Sequence, residues 1–423
     1  MNLPSARGVA LATVAMAAAL SAQEALGART GSPFDLSTTI KAALGTTSAG
    51  SWGDKCLGAA RDRNGNYWVA VGPPGLATTG RGKLCKLDAS GSFLKAVDQP
   101  LATATSFFGL RDLAYDGSQT ILAGCESALT GDTLFAFDLV TESFTVAGNW
   151  KGPTGIAVHR GLAYDAGGQG GLGSLFVSDF GPGPIVEFDK QGSVLRTIAK
   201  PAGSDGTFGL AIDPGRRRLW LFSQTGSTYS AVRVVGIEVD LVTGLATGTM
   251  FLADSNLGGS PIAGGCEWYA EGQNGAKPTL VLVHQGLTGK WLDRVAAQFD
   301  FGKSCGGRIG MAGDAPYQGN SAWAITLDGS PIGTVGTLCM TIQPGLNRVP
   351  IWPFVPGCEI LMSLFEVPYA FPGVVLNAGS GRQSLPVPFG IVGDPTFQWV
   401  EIAPTQNPPL RLSNGARTSV GYP

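Results

Sequence analysis

Charge is scarce in this chain of 423 residues. Only 14% are Asp, Glu, Lys or Arg, against about 25% in an ordinary soluble protein. Lys plus Arg is 29 and Asp plus Glu is 31. There is no basic surplus to displace counterions from phosphates, so the composition argues against nucleic-acid binding. Histidine occurs only at His159 and His284, too few for a metal site needing three imidazoles within one chain. A Ser-His-Asp relay would have to use one of these two. No Gly-x-Ser-x-Gly elbow accompanies them, and both lie at apparent strand ends, which reads as a packed or hydrogen-bonded structural role. No Cys-x-x-Cys pair occurs, which argues against a zinc ribbon or a thioredoxin-type site. No apolar run beyond the N-terminal segment suits a transmembrane helix.

Turn formers and apolar residues are plentiful. Gly 63 and Pro 27 make a helix-rich chain a poor reading, because both residues cost most inside helices. A hydrophobic content of 44%, with nine Trp and twenty Phe, excludes a disordered chain. The expectation is a turn-rich, all-β protein with ample material for a core.

The N-terminus has the layout of a cleavable export signal over residues 1–22. Arg7 supplies a positive start, Gly8 to Leu20 an apolar stretch of 13 residues, and Ala19, Ser21 and Ala22 the small residues of a cut site. Cleavage after Ser21 or Ala22 is expected, with Ala28 as a second candidate. The expected location is secreted, periplasmic or at the cell surface, with no transmembrane segment left after cleavage. Export makes disulfides chemically accessible. The seven cysteines (Cys56, Cys85, Cys125, Cys266, Cys305, Cys339 and Cys358) are an odd count, so one is left as a thiol or pairs between chains.

Self-similarity is the strongest signal. Leu84-Cys-Lys-Leu-Asp88, Leu134-Phe-Ala-Phe-Asp138, Ile185-Val-Glu-Phe-Asp189 and Gly236-Ile-Glu-Val-Asp240 share one pattern, with aspartates spaced 50, 51 and 51 residues apart. Weaker copies surround Asp293 and Asp35. A second series interleaves with it: Ala59-Ala-Arg-Asp62, Leu113-Ala-Tyr-Asp116, Leu162-Ala-Tyr-Asp165 and Leu210-Ala-Ile-Asp213. Each unit offers four short alternating strands joined by Gly, Asp and Asn turns. Four antiparallel strands per repeat of about 40–50 residues is the signature of propeller blades. One blade cannot bury both faces, whereas blades around an axis can. The reading is a five- or six-bladed β-propeller over residues 33–300, with the Asp35 segment as an outer strand closing the ring. A stack of separate β-sandwiches is the alternative. The repeated aspartates read as turn residues whose carboxylates accept backbone N–H bonds rather than as calcium ligands.

Through Gly-Leu-Ala-x-Asp and the Asp-turn hairpins, the repeats resemble secreted bacterial β-propellers of the NHL and YVTN kind. The repeat ends before Phe301, and residues 301–423 suit a C-terminal β-sandwich. Phe301-Gly-x-x-Cys305-Gly, Pro356-Gly-Cys358, Leu385-Pro-Val-Pro, Phe397-Gln-Trp399 and Ser413-Asn-Gly415 resemble a C-terminal domain appended to many secreted planctomycete proteins. That resemblance implies an accessory module and a Cys305–Cys358 disulfide, with Cys339 as a competitor. It carries no activity.

Three local features invite chemistry and then refuse it. Gly168-Gln-Gly170-Gly-Leu-Gly173 matches the dinucleotide fingerprint, but a strand-like run follows where a helix is required. Asp62-Arg-Asn64-Gly65-Asn66 is similar to a calcium loop without its downstream bidentate Glu, and reads as a hairpin turn. Arg216-Arg217-Arg218 follows a turn signal and reads as a solvated hairpin tip.

One constellation is retained. Loops entering the inner strands of a propeller converge on an axial mouth, and here they bring Trp52, Asp54, Arg111, Asp112, Glu267 and Trp268, with Trp150 and Lys151 nearby. Aromatics beside carboxylates suit a polar ligand. If Asp54, Asp112 and Glu267 meet, calcium is the natural cation for such hard ligands. The functional expectation is a non-enzymatic binding or scaffold protein of the cell envelope taking a protein, peptide or glycan at the axial mouth. A calcium-dependent hydrolase or lyase on the same scaffold is the alternative.

Overall fold

The computed structural model describes residues 26–27, 29–75, 80–105, 107–126, 133–149, 159–202, 204–214, 217–225, 233–253, 262–270, 278–286, 289–297, 300–301, 306–312, 324–341, 349–350, 359–360, 369–371, 373–376, 379–385, 395–406 and 409–417. The export signal of residues 1–22, Trp150, Lys151, Arg216, Cys305 and Cys358 lie outside the described residues.

Five four-stranded antiparallel sheets follow one another. The first is Cys56–Arg61, Tyr67–Val71, Lys83–Leu87 and Phe93–Asp98; the second Gly109–Tyr115, Thr120–Glu126, Thr133–Asp138 and Ser143–Asn149. The third is Gly161–Asp165, Ser174–Ser178, Ile185–Asp189 and Val194–Ile198; the fourth Gly206–Asp213, Arg218–Thr225, Arg233–Asp240 and Ala246–Leu252. The fifth has Ala263–Ala270, Pro278–Gln285 and Lys290–Ala296, and takes its fourth strand from Phe34–Asp35 at the other end of the chain. The first strand of each sheet packs on the first strand of the next, and that of the fifth returns to that of the first. The result is a closed five-bladed β-propeller, not a stack of sandwiches.

The closing strand pairs antiparallel with Lys290–Ala296, Phe34 opposite Leu292 and Asp35 opposite Trp291. Arg29 bridges Val295 on the same edge. Asp35 then caps the helix Leu36–Leu44, its Oδ1 accepting Thr38 N at 3.0 Å. Leu36 and Ile40 of that helix are buried with Cys56 and Val69 of the first blade and Val281 and Leu292 of the fifth.

The apolar clusters show why the blades come as a set, for each straddles neighbours. Trp68, Ala70 and Leu84 of the first blade pack with Leu113, Phe135 and Phe137 of the second. Leu134 of the second joins Leu162, Leu175 and Phe188 of the third. Phe176 and Ile185 of the third join Leu219, Leu221 and Val239 of the fourth. A lone blade would leave these faces in water, at about 1.5–3 kcal/mol for each large side chain.

Both aspartate series are turn residues. In the third-strand series, Asp88 Oδ1 accepts Ser90 N (2.8 Å) and Ser92 N (2.9 Å). Asp189 Oδ1 does the same for Gln191 N and Ser193 N, and Asp240 Oδ1 for Val242 N and Thr243 N. Asp138 Oδ1 accepts Val140 N and Thr141 N. Hydrogen bonds to the charged form hold Asp88, Asp138, Asp189 and Asp240 below the usual carboxylate range. In the inner series, Asp62 Oδ1 accepts Asn64 N (2.9 Å) and Asn66 N (3.0 Å), so the calcium-like segment is a hairpin turn. The Gly168–Gly171 segment is one helical turn with left-handed φ at Gln169 and Gly170, and a strand follows it at once. The arginine tip is tethered as well as solvated: Arg217 Nη1 reaches Asp165 Oδ2 of the neighbouring blade at 2.5 Å, and Arg218 pairs with Asp240.

Beyond residue 300, Asp300–Phe301, Leu410–Arg417, Thr396–Ile402, Thr334–Thr341, Tyr369–Ala370 and Val374–Leu376 form one sheet. Arg308–Ala312, Ala324–Asp328 and Gly381–Ser384 form another. The two face each other across Ile325, Leu327, Leu338, Phe397 and Trp399, a β-sandwich core continuous with Trp220 and Phe251 of the fourth blade. Trp399 Nε1 donates to Thr326 O of the opposite sheet at 3.1 Å. Buried Glu401 ties the edges, accepting Gly307 N at 2.8 Å and the Ser330 hydroxyl at 2.6 Å. Cys56, Cys85, Cys125, Cys266 and Cys339 are buried thiols.

Phe137 packs tilted against Trp68 across the first blade boundary, ring centroids 5.0 Å apart. Phe137→Ala is expected to lower the unfolding free energy by about 3–5 kcal/mol in urea titration. Leu172→Ala, at a side chain 70% exposed, should stay within about 0.5 kcal/mol.

Candidate ligand-binding mouth of the ring

The inner strands carry their own kinks. Pairing with the second strand slips between Cys56 and Ala59, Leu110 and Leu113, Thr207 and Gly209, and Ala263 and Cys266. Such bulges leave backbone groups outside the ladder and re-aim them, here toward the axis.

Asp112 collects them. Its Oδ1 accepts Leu113 N at 3.0 Å and Cys266 N at 3.2 Å, and its Oδ2 accepts Leu162 N at 2.9 Å and Leu210 N at 3.2 Å. One carboxylate from the second blade therefore binds inner-strand amides of the third, fourth and fifth. A Cβ at Gly265 would sit 2.0 Å from Asp112 Oδ1, so only glycine admits the carboxylate there. Burial pushes the Asp112 carboxyl well above the usual range, against the downward pull of the Leu162, Leu210 and Leu113 amides.

Glu267 completes the set from the fifth blade. Its Oε2 accepts Arg61 N of the first blade at 2.5 Å and its Oε1 accepts Tyr115 N of the second at 3.0 Å. Burial pushes its carboxyl up to about 8, although the Tyr115 and Arg61 amides favour the charged form.

Glu267 lies on the wall of a cavity of about 410 Å³ where the inner strands leave the axis, inside the about 300–1,000 Å³ range of ligand pockets. Tyr115, Tyr164, Trp268 and Tyr269 supply rings, Arg61 and Arg63 guanidinium groups, and Asp62 and Asp116 the turns at the rim. The Arg61 guanidinium lies 4.1 Å from the Tyr269 ring centroid, joining the first and fifth blades at the wall.

The six residues expected at one entry mouth are thus separated. Glu267 and Trp268 line the cavity, but at the exit end of the inner strands. Asp112 is sealed at the axis with its oxygens on backbone amides. Arg111 is buried over Phe108 (4.4 Å) and Phe208 (5.5 Å), near the strand starts. Trp52 packs against the core cluster between the first and fifth blades, and exposed Asp54 accepts Ser51 N at 3.0 Å, both ahead of the first inner strand. Among the described residues, the inner-strand exits bring side chains of all five blades to one cavity. Among the described residues no three His, Cys, Asp or Glu side chains gather to hold a metal, so Asp54, Asp112 and Glu267 do not form the conditional calcium centre.

His159 is buried just before the third inner strand. His284 is buried at the end of the second strand of the fifth blade, 3.7 Å from Asp293 and edge-on to Phe222. Burial lowers its imidazole to about 4, and neither histidine lines the cavity.

Arg61, Tyr115 and Tyr164 were passed over in the sequence, yet a signal was present. They and Ile212 occupy the same place in the inner repeat, the residue before the aspartate of Ala-x-Asp. Ring symmetry carries equivalent positions to one rim, so this variable position was the one to read.

No family model matches the chain and no curated protein matches it. Solved structures with similarity are β-propeller-like. TolB from Acinetobacter baumannii is 16% identical, over 57% of this chain and 54% of that one, with a TM-score of 0.32. SapL1 lectin in complex with alpha methyl fucoside is 12% identical over 64% and 88%, at 0.34. A glycoside hydrolase is 9% identical over 86% and 96%, at 0.38. The chain thus spans about half the length of the TolB structure.

Asp112→Ala strips acceptors from four inner-strand amides, at about 1–3 kcal/mol for each buried group left unmet. It is expected to abolish cooperative unfolding or lower the midpoint far more than Phe137→Ala, as read by circular dichroism in urea. Glu267 has the opposite pH signature to the turn aspartates. Its folded value is raised, so its contribution is full below the unfolded value of about 4.3 and is lost as pH rises through about 8. Melting temperature should fall between about pH 5 and 8 in the native chain, and the slope should flatten in Glu267→Gln.

Proposed function

We propose that this protein is a secreted, non-enzymatic binding propeller of the cell envelope, taking a neutral, hydroxyl-rich ligand of saccharide size at the exit mouth. The observation that carries this reading is the composition of the mouth. Four aromatic side chains from the second, third and fifth blades surround it, and its carboxylates already accept backbone amides. Aromatic faces and a few fixed polar groups suit ring-shaped polar ligands. Arg61 and Arg63 share the rim with Asp62 and Asp116, and burial raises the Glu267 carboxyl, so the rim carries no strong charge surplus to favour an ion. A carboxylate engaged by two amides is stiffly placed, and neither histidine is at hand to relay a proton. Binding therefore fits this mouth better than hydrolysis.

The C-terminal sandwich, docked on the fourth blade through Trp220 and Phe251, would hold the ring at the cell surface, with the proposed Cys305–Cys358 bridge stiffening it. Peptide and protein ligands remain the competing occupants.

Binding of neutral oligosaccharides, screened on an array and measured by calorimetry, is the test. Trp268→Ala and Tyr269→Ala are expected to weaken the best ligand at least about tenfold, while Leu172→Ala leaves it unchanged. Saturable binding of peptides with no saccharide bound, or binding unaffected by both aromatic variants, would reject the reading.

A further inference from the structure

The N-terminal sequence offers two places to cut the export leader, after Ser21 or Ala22 and after Ala28. We infer that the leader is removed upstream of Leu26, because the residues on either side of Ala28 are already part of the propeller. The inference rests on the export part of the proposed function and is independent of the ligand.

Leu26 is fully buried in the cluster that contains Trp220 and Phe251 of the fourth blade and Leu280 and Val295 of the fifth. Gly27 follows with φ +76°, and a Cβ there would lie 2.6 Å from the Phe251 ring. Its N–H donates to Ala296 O at 2.9 Å, the last residue of the outer sequential strand of the fifth blade. Past Ala28, Arg29 bridges Val295 and its Nε meets the buried carboxylate of Asp293 at 2.7 Å. Thr30 N donates to Arg294 O at 2.8 Å. Leu26–Gly27 and residues 29–35 thus lie along one strand edge and close the ring, with Leu26 as the apolar anchor.

A cut after Ala28 would discard that anchor, strip the Ala296 carbonyl of its donor and empty a space between two blades. It would also place a new ammonium at Arg29, beside a guanidinium that already neutralises Asp293. A cut after Ser21 or Ala22 keeps every one of these contacts and leaves only a short polar-and-alanine lead ahead of Leu26. In chemical terms a signal peptidase of the exporting cell adds water across the Ser21–Ala22 or Ala22–Gln23 peptide bond. The leader keeps the carboxylate and the mature chain the ammonium.

The test uses the full chain in an exporting bacterial host, followed by intact mass and N-terminal sequencing of the exported protein. A start at Ala22 or Gln23 is expected. A start at Arg29 overturns the inference while leaving export intact, whereas an uncut chain overturns it by removing the export reading itself. In parallel, chains made without the leader and starting at Gln23 or Arg29 are melted. The Arg29 start should melt about 5–10 °C lower or fail to fold, and Leu26→Ala in the Gln23 start should lose about 5–10 °C. Equal melting of the three chains overturns the inference.

Discussion

Closure of the ring depends on backbone amides that the inner strands cannot satisfy among themselves. Inner strands around a narrow axis turn N–H groups inward, and a buried donor without an acceptor is costly. Two carboxylates answer this need. Asp112 takes amides of four blades including its own, Glu267 takes amides of the first and second, and between them every inner strand is engaged. The desolvation that raises both carboxyls is the cost of that arrangement.

The same constraint shapes the candidate site. An axis filled by Asp112 is no channel, so the mouth where the inner strands exit becomes a shallow chamber with Glu267 on its wall. Its rim is built from equivalent turns, and the turns are rigid because Asp62 and Asp116 hold their own backbones. A ring of stiff turns can carry unlike side chains at one repeated position without disturbing the fold. Arg61, Tyr115, Tyr164 and Ile212 show that freedom, for they differ in chemistry while their neighbours keep to one pattern.

Much of the architecture was legible because it is written in local, repeated terms. Asp88, Asp138, Asp189 and Asp240 recur at nearly constant spacing, and each marks the turn its carboxylate makes. Phe34–Asp35 was legible as a closing strand since it echoes the repeat ahead of the first full unit. The site was less legible. Trp268 and Glu267 line the cavity, whereas Asp54, Trp52 and Arg111, grouped with them in the sequence on the premise that strand entries converge, lie apart from it. Which residues meet at the axis and at the chamber depends on side chains that are far apart in sequence.

By itself, then, the amino-acid order determined the strands, the turns, the repetition of units that must share faces, and the exclusion of basic, histidine-rich and helical chemistry, while the count of five came from the closed ring. Those follow from periodicity and composition, which act over a few residues. Only the tertiary structure decided that Asp112 fastens four blades from within, that Glu267 spans two blades, and that Glu267 and Trp268 line a chamber at the strand exits. These are outcomes of distance: residues 50 to 206 positions apart come within hydrogen-bonding reach only after the ring has closed.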